Sequence, residues 1–138
     1  MRAVIDTSVY VSMLLSSRGS GTWLMALWKE QRFDNVVSPA LLDELVEVID
    51  RPAIRARLDS QRSLALLRRL RDDAVWVEGM TLAAGLNDPQ DNFLLSAALE
   101  SQAEFIVTWD QDLLDQKTCQ GVHIVNPDQF TSLIVRTT

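Results

Sequence analysis

The sequence predicts an α/β domain in which helices cover both faces of a parallel sheet of about five strands. Five short apolar runs alternate with longer stretches that have helical periodicity. Each run is continuously apolar and does not alternate with polar residues, which is typical of strands buried on both faces. At 138 residues and 15.5 kDa, residues 1–138 are expected to form one domain with a sizeable core.

The elements of the first half follow from short local signals. The run 2–5 is too brief for a helix and reads as the first strand, with a helix at 9–15 after it. A Ser- and Gly-rich loop at 16–21 precedes a helix at 23–31, and Val36-Val37 is a brief second strand. Ser38 as N-cap and Pro39 at the first helical position predict a helix to about Ile49.

The second half continues the alternation. Pro52 ends the preceding helix, and 53–73 should be helical in two pieces before a third strand at 74–78. Asp88-Pro89 begins a helix that runs to about Ser101, and 104–108 is the fourth strand. A short helix at 110–116, a fifth strand at 122–125 and a last helix opened by Asn126-Pro127 complete the chain.

The composition argues against a membrane-spanning, secreted or disulfide-rich protein. The apolar runs are far shorter than the roughly 20 residues of a membrane span, and the acidic residue at position 6 argues against a signal peptide. The single Cys119 excludes a disulfide framework within the chain and fits a reducing compartment. We therefore expect a cytoplasmic protein that does not bind membranes.

Charge is distributed unevenly along the chain. The net charge of −6 argues against general affinity for nucleic acid, but residues 51–71 carry seven of the thirteen basic residues and only one acid. This basic segment could contact phosphates, or it could be a solvated helix face or a face docked on an acidic partner. The seven residues are Arg51, Arg55, Arg57, Arg62, Arg68, Arg69 and Arg71.

Four acidic clusters each adjoin an apolar run, at 6, 43–44, 88–91 and 110–112. Carboxylates beside buried segments are costly to desolvate unless something neutralises them. With one His and one Cys in the chain, the expected neutraliser is a hard divalent cation held by oxygen ligands. The pattern predicts metal-assisted phosphodiester chemistry at the carboxyl ends of the strands, where Asp6 and Asp110 both fall.

Spacing separates the acids of the predicted helix at 39–49. Glu44 lies at the margin of the apolar stripe and could point along the core edge toward the site, and Asp43 borders the other margin. Glu47 falls further round, and we expect it to be a solvated charge.

The other two clusters each contain a cap candidate. Asp88 before Pro89 fits an N-cap, whereas Asp91 shares a helix face with Leu95 and Ala98 and is the expected functional residue. Of Asp110 and Asp112, one can cap the next helix while the other binds metal; Asp110 is the better ligand and Asp112 an auxiliary one.

Neighbouring side chains could assist these acids. Thr7 and Ser8 are cap candidates beside Asp6, and Thr108 could hydrogen-bond a carboxylate or a metal-bound water. Trp109 could stack on an RNA base or pack against a helix or second subunit.

Taken in order, the motifs resemble the PIN-domain family across essentially the whole chain. They are Val-Ile-Asp-Thr-Ser-Val, Ser-Pro-x-x-x-x-Glu-Leu, Asp-Pro-x-Asp-Asn-x-x-Leu-x-x-Ala and Ile-Val-Thr-x-Asp-x-Asp-Leu-Leu. The resemblance implies a three-layer α/β/α fold and a Mg²⁺- or Mn²⁺-dependent ribonuclease whose four acidic positions fall on Asp6, Glu44, Asp91 and Asp110. Ser8 departs from the family, which often has Asn there.

The resemblance also implies partners and a mechanism. Many relatives are toxins of type II toxin–antitoxin pairs, so we expect an RNA substrate, an antitoxin protein and a homodimer, with RNA contacts from Arg68, Arg69 and Trp109. One or two metal ions would activate the attacking water, because no His or Lys near the motifs offers a better base.

Two other interpretations stay open at this point. A haloacid-dehalogenase-like phosphatase also begins with a strand ending in Asp, but it needs a second Asp where this chain has Ser8. A catalytically inactive PIN-like module that binds RNA or protein is the second alternative.

Overall fold

The structure is a computed structural model that describes residues 1–137. Its strands and helices alternate along the chain much as the apolar runs predict. The elements are β1 (Arg2–Ile5), α1 (Thr7–Leu15), α2 (Ser20–Lys29), β2 (Asp34–Val37), α3 (Pro39–Asp50), α4 (Pro52–Arg55), α5 (Ser60–Asp73), β3 (Val75–Trp76), a 3₁₀ turn (Pro89–Asp91), α6 (Asn92–Ser101), β4 (Phe105–Val107), α7 (Gln111–Gln116), β5 (Thr118–Cys119), β6 (Val122–Val125) and α8 (Pro127–Arg136).

The strands form one mostly parallel sheet in the order β3-β2-β1-β4-β6-β5. β1 lies near the centre, with Ala3 level with Asn35 of β2 on one side and with Phe105 of β4 on the other. The predicted α/β fold with a parallel sheet is therefore confirmed. The paired helical pieces predicted within 53–73 correspond to α4 and α5.

The sixth strand is a departure from the predicted count of about five. β5 pairs antiparallel with β6 through a two-residue turn, Gln120-Gly121, whose φ values are 49° and 82°. Positive φ at both central residues matches the twist of a hairpin. The sequence signal was weak because β5 has only two residues and Gln is an unusual first residue for this turn.

Helices cover both faces of the sheet. Asn35 and Phe105 share one face, where Tyr10 of α1 hydrogen-bonds Asn35 and Phe130 of α8 packs against Phe105 with ring centroids 5.3 Å apart. α6 runs beside β1, β2, β4 and β6, and the return from β3 to β4 by a right-handed crossover places it on the opposite face. All three residues of 3–5 in β1 are 0% exposed, as expected for a strand covered on both sides.

Strand order reverses beside β1. The chain moves outward from β1 to β2 and β3, then returns to place β4 on the other side of β1. Open parallel sheets bind ligands at such a switch point, beyond the carboxyl ends of the two strands. The residues that follow β1 and β4, Asp6 and Thr108, meet there.

Proline and side-chain caps start several helices where the sequence predicts them. Ser38 accepts from the Leu41 amide at 3.3 Å at the start of α3, and Asn126 forms a capping box with Gln129 at the start of α8. Within residues 1–137, no helix combines the length and apolar character needed to cross a membrane.

Candidate active site

Asp6 is the most deeply held of the site carboxylates. It directly follows β1, is 8% exposed, and its Oδ2 accepts hydrogen bonds from Thr108 Oγ1 at 2.8 Å and Ser8 Oγ at 3.1 Å. Burial raises the pKa of Asp6 above its usual range, although the Thr108 and Ser8 hydroxyls oppose that shift.

The same two hydroxyls join the ends of the two central strands. Ser8 Oγ also accepts from the Trp109 amide at 3.2 Å, and Thr108 Oγ1 accepts from the Asp110 amide at 2.9 Å. The loop after β4 is therefore attached to the Asp6 side chain through two hydroxyls. Ser8 makes one of these two connections.

Asp110 caps α7 as well as facing the site. Its Oδ1 accepts from the Asp112 amide at 3.0 Å, so Asp110 is the N-cap residue of this pair. Only one Asp110 oxygen takes part in that bond, which leaves the other for a ligand. Asp112 is exposed and does not line the cavity that Asp110 lines, and its predicted role as an auxiliary metal ligand stays a prediction.

Asp88 forms the cap hydrogen bond that the sequence predicts, whereas the functional role of Asp91 stays a prediction. Asp88 caps the 3₁₀ turn by accepting from the Gln90 amide at 3.0 Å. Asp91 ends that turn, immediately before α6, and makes no cap hydrogen bond. Burial first, and then the charges of Asp6, Asp88, Asp110 and Glu44, together raise the pKa of Asp91 to about 6.

One face of α3 forms a wall of the site. Glu44, Glu47, Val48 and Arg51 all line the cavity, and their spacing of three, four and seven residues puts them on one helical face. Glu44 is half-buried, as its position beside the apolar stripe predicts. Glu47 is exposed, as expected of a solvated charge, and it also lines this cavity.

These side chains surround a cavity of about 540 Å³ at the carboxyl edge of the sheet. Thr7 also lines it, and the buried Thr7 Oγ1 has no hydrogen-bond partner among the described residues. A buried hydroxyl without a partner is costly unless a ligand or water satisfies it. The lining residues are Asp6, Thr7, Ser8, Val11, Glu44, Glu47, Val48, Arg51, Gln90, Asp91 and Asp110.

The donor set fits a hard divalent cation in its chemistry. Every acidic group in the cavity offers oxygen ligands. Burial and then the repulsion from neighbouring carboxylates raise the pKa of Asp91, and a cation would relieve that repulsion. The unpartnered Thr7 hydroxyl is a further oxygen donor or acceptor. Within the described residues, however, no three ligand groups are gathered closely enough to hold an ion without rearrangement of their side chains.

The residues predicted to bind RNA lie outside the cavity lining. Arg68 is exposed on α5, and the Arg69 guanidinium lies 4.7 Å from the centre of the Trp28 ring. Trp109 is 38% exposed beside Thr108. RNA contact by these three residues stays a prediction.

A second cavity of about 610 Å³ lies between α1, α2 and α5. Its lining is largely apolar and includes Arg62 and Arg69, with Asp73 as the single carboxylate. One carboxylate gives no basis for holding a divalent cation through several charged oxygen ligands. The carboxylate-rich cavity is therefore the candidate active site.

Arg51 and Gln90 line the cavity but were not among the site residues that the sequence predicts. Arg51 follows Glu44 by seven residues and Glu47 by four, so helical spacing could have found it. The predicted end of the helix near Ile49 hid that relation. Gln90 lies between Asp88 and Asp91 in a turn, where side-chain direction is not readable from periodicity.

Comparison with known proteins agrees with this fold. The sequence model of one family, described as PIN domain, matches residues 2–112. An uncharacterized protein of Methanocaldococcus jannaschii is 30% identical over 115 residues, which are 83% of this chain and 74% of that protein. The solved structure of the PIN domain of human SMG5 is similar with a TM-score of 0.52 at 13% identity, covering 96% of this chain and 98% of that one.

Proposed function

The chain belongs to the PIN-domain family, and on that premise we propose that it is a Mg²⁺- or Mn²⁺-dependent endoribonuclease that hydrolyses RNA phosphodiester bonds. PIN domains carry a nuclease-type fold. The observation that supports the proposal most is that Asp6, Glu44, Asp91 and Asp110 come from four separate segments and line one cavity. Helix capping could account for Asp6, Asp91 and Asp110 one at a time, but it would not by itself bring them together with Glu44, which lies within α3.

Asp6, Asp91 and Asp110 are the residues that would hold the metal. When bound, the ion would supply activation of a water molecule and stabilisation of charge on the phosphate oxygens. Glu44 adds negative charge beside Asp91, which strengthens attraction for a cation.

The chain's own hydroxyls orient the reacting groups. Thr108 and Ser8 fix the Asp6 carboxylate through its Oδ2, so its direction does not have to be set when the substrate binds. Thr7 Oγ1 lines the cavity without a partner and is free to donate to a phosphate oxygen or to a water. The Asp6 side chain therefore needs little reorganisation, whereas the other ligand carboxylates would have to move closer to hold an ion.

Cleavage of single-stranded RNA by the purified protein tests the proposal. We expect cleavage with millimolar Mn²⁺ or Mg²⁺, none in chelator, and a loss of at least about 100-fold in Asp6→Asn and Asp91→Asn because a ligand charge is removed. Asp88→Asn is the matched control, since it removes a neighbouring charge but keeps an oxygen that can cap. Equal rates in chelator, or full activity of folded Asp6→Asn, would reject the metallonuclease.

The biological role that we propose is the toxin component of a type II toxin–antitoxin pair, acting on RNA in the cytoplasm as a homodimer. The family resemblance supports this role. Induced expression of the wild-type chain in a bacterial host should arrest growth, and Asp6→Asn should not. A reading frame encoding a small DNA-binding protein beside this one would identify the antitoxin; normal growth with active enzyme present would argue for a different role.

A PIN-like module that binds RNA or protein without cutting is the second candidate. It is favoured by the observation that, among the described residues, no three ligand groups are close enough together to hold an ion. RNA binding without cleavage at any Mn²⁺ concentration would establish this alternative.

A further inference from the structure

Arg51 is the one basic side chain among the residues that line the acidic cavity within the described part of the chain. Five carboxylates line the same space. A polyanionic strand entering it would meet strong repulsion, which bound metal would offset only in part. A guanidinium in this position therefore bears directly on how a substrate could bind.

The following proline and backbone hydrogen bonds to the helices on both sides fix the Arg51 backbone. Pro52 disfavours helical conformation at Arg51, which is extended with φ −59° and ψ 130°. The Arg51 amide donates to Val48 O at 3.2 Å at the end of α3, and Arg51 O accepts from the Ile54 and Arg55 amides at 3.0 and 2.8 Å at the start of α4. The Arg51 side chain therefore extends from a backbone position that is fixed between α3 and α4.

The Arg51 guanidinium has no partner of its own. Within residues 1–137 it makes neither a hydrogen bond nor an ion pair, although Glu44 and Glu47 lie on the same helical face. Its five N–H donors are therefore available. In contrast, Arg62 and Arg69 of the same basic segment line the apolar cavity, where Arg62 donates to the Met13 carbonyl oxygen at 3.1 Å.

We propose that Arg51 binds a phosphate group of the RNA strand at the mouth of the acidic cavity, next to the carboxylates that hold the metal. The planar guanidinium matches the two oxygens of a phosphate, and the charge offsets repulsion from the cavity wall. The inference rests on the proposed function for its substrate. Of the seven basic residues in 51–71, it assigns phosphate binding at this site to one.

The test measures binding and cleavage of labelled single-stranded RNA. Affinity is measured by fluorescence anisotropy in the Asp91→Asn background with Mg²⁺, which is expected not to cleave, and KM and kcat are measured in the otherwise wild-type chain. Arg51→Gln should weaken binding about 10- to 100-fold, as loss of a charge-assisted hydrogen bond does. The loss should appear chiefly in KM.

Three further readouts separate phosphate binding from a structural effect. Affinity falls as salt rises, and the slope of log affinity against log salt should be shallower by about 0.7 in Arg51→Gln than in the wild type. The loss of affinity should be equal for two RNAs of unrelated sequence. Arg51→Lys should restore the salt slope and only part of the affinity, because it keeps the charge but not the fork. Arg55→Gln, an exposed position of α4 outside the cavity lining, should change affinity less than about threefold.

The outcomes distinguish this inference from the proposed function. Suppose that the wild-type chain cleaves RNA but Arg51→Gln weakens binding no more than Arg55→Gln does. The inference about Arg51 is then wrong, and the proposed nuclease function is retained. If Arg51→Gln loses affinity but the wild-type chain never cleaves, Arg51 binds phosphate in an inactive module. If the wild-type chain neither binds nor cleaves RNA, both proposals fail.

Discussion

At the residue scale, the acids of the site differ in the hydrogen bonds that their carboxylates accept. Asp6 is fixed by two hydroxyls, Asp110 is also a helix cap, and Asp91 has no cap bond and a pKa of about 6. The three carboxylates differ in their supports, so the same Asp→Asn change should have different consequences at each. Two predictions use those differences.

The first concerns Asp91 and pH without divalent metal. Its pKa in the folded chain, about 6, lies above the ordinary Asp value of 3.8, so the folded state binds this proton more tightly than the unfolded state. The resulting stabilisation is fully present below about pH 4 and is lost as pH rises through about 6. The Asp91→Asn variant has no titratable carboxyl group at this position, so it does not lose this stabilisation as pH rises.

Thermal melts from pH 4 to pH 7 check this sign. The melting temperature of Asp91→Asn minus that of the wild type should increase across the range. A difference that stays constant, or that decreases, would show that the Asp91 pKa is not raised in the folded chain.

The second prediction concerns the two roles of Asp110. Asn can keep the hydrogen bond from the Asp112 amide while removing a charge that repels Asp6 and Asp91. Asp110→Asn should therefore match or exceed the wild type in stability without metal. Asp110→Ala loses the cap and should cost about 1 kcal/mol.

Urea unfolding of the three proteins in chelator measures this comparison. Destabilisation of Asp110→Asn as large as that of Asp110→Ala would mean that the carboxylate charge, and not only its oxygen, supports α7.

At the element scale, α3 contributes a whole helical face to the site. Glu44 and Glu47 both line the cavity, but only Glu44 is among the charges that raise the pKa of Asp91. The difference indicates that Glu44 is electrostatically coupled to Asp91, whereas Glu47, which is exposed, is screened by water.

The third prediction compares these two residues by the same substitution. Glu44→Gln should lower RNA cleavage by at least about tenfold and lower the pKa of Asp91, since a neighbouring negative charge is removed. Glu47→Gln should retain most of the activity and leave the Asp91 pKa nearly unchanged. Cleavage rates and NMR titration of the Asp91 carboxyl measure both effects; a larger loss in Glu47→Gln would reverse the assignment.

Local patterns predicted most elements because their causes are local. Ser38-Pro39 and Asn126-Pro127 begin helices through their own caps, and the continuous apolar run of β1 requires a buried strand. β5 could not be found in this way, because its two residues are stabilised by pairing with β6 across the Gln120-Gly121 turn.

Site residues were predictable where the chain order and the sheet edge dictate position. Asp6 and Asp110 follow parallel strands that lie side by side, so their proximity follows from the fold class. The cavity-facing positions of Glu47 and Arg51 depend instead on how α3 sits relative to α1 and α6. That packing angle has no counterpart in the periodicity of a single helix.

At the scale of the whole molecule, charge is separated between the site and the basic segment. The chain carries −6 overall while residues 51–71 are strongly basic, and the acidic cavity takes its single guanidinium from the first residue of that segment. A cation and a polyanion could thus approach neighbouring surfaces of one small domain. Metal binding is the step on which the proposed nuclease chemistry depends.

Calorimetric titration of Mn²⁺ into the RNA-free protein tests most directly whether Asp6, Asp91 and Asp110 act as one metal site. The wild-type chain should bind Mn²⁺, Asp6→Asn and Asp91→Asn should bind at least about tenfold more weakly because each removes a ligand charge, and Asp88→Asn should stay close to the wild type. Absence of Mn²⁺ binding by the wild-type chain, or equal affinity in Asp91→Asn and the wild type, would contradict a metal site built from these residues.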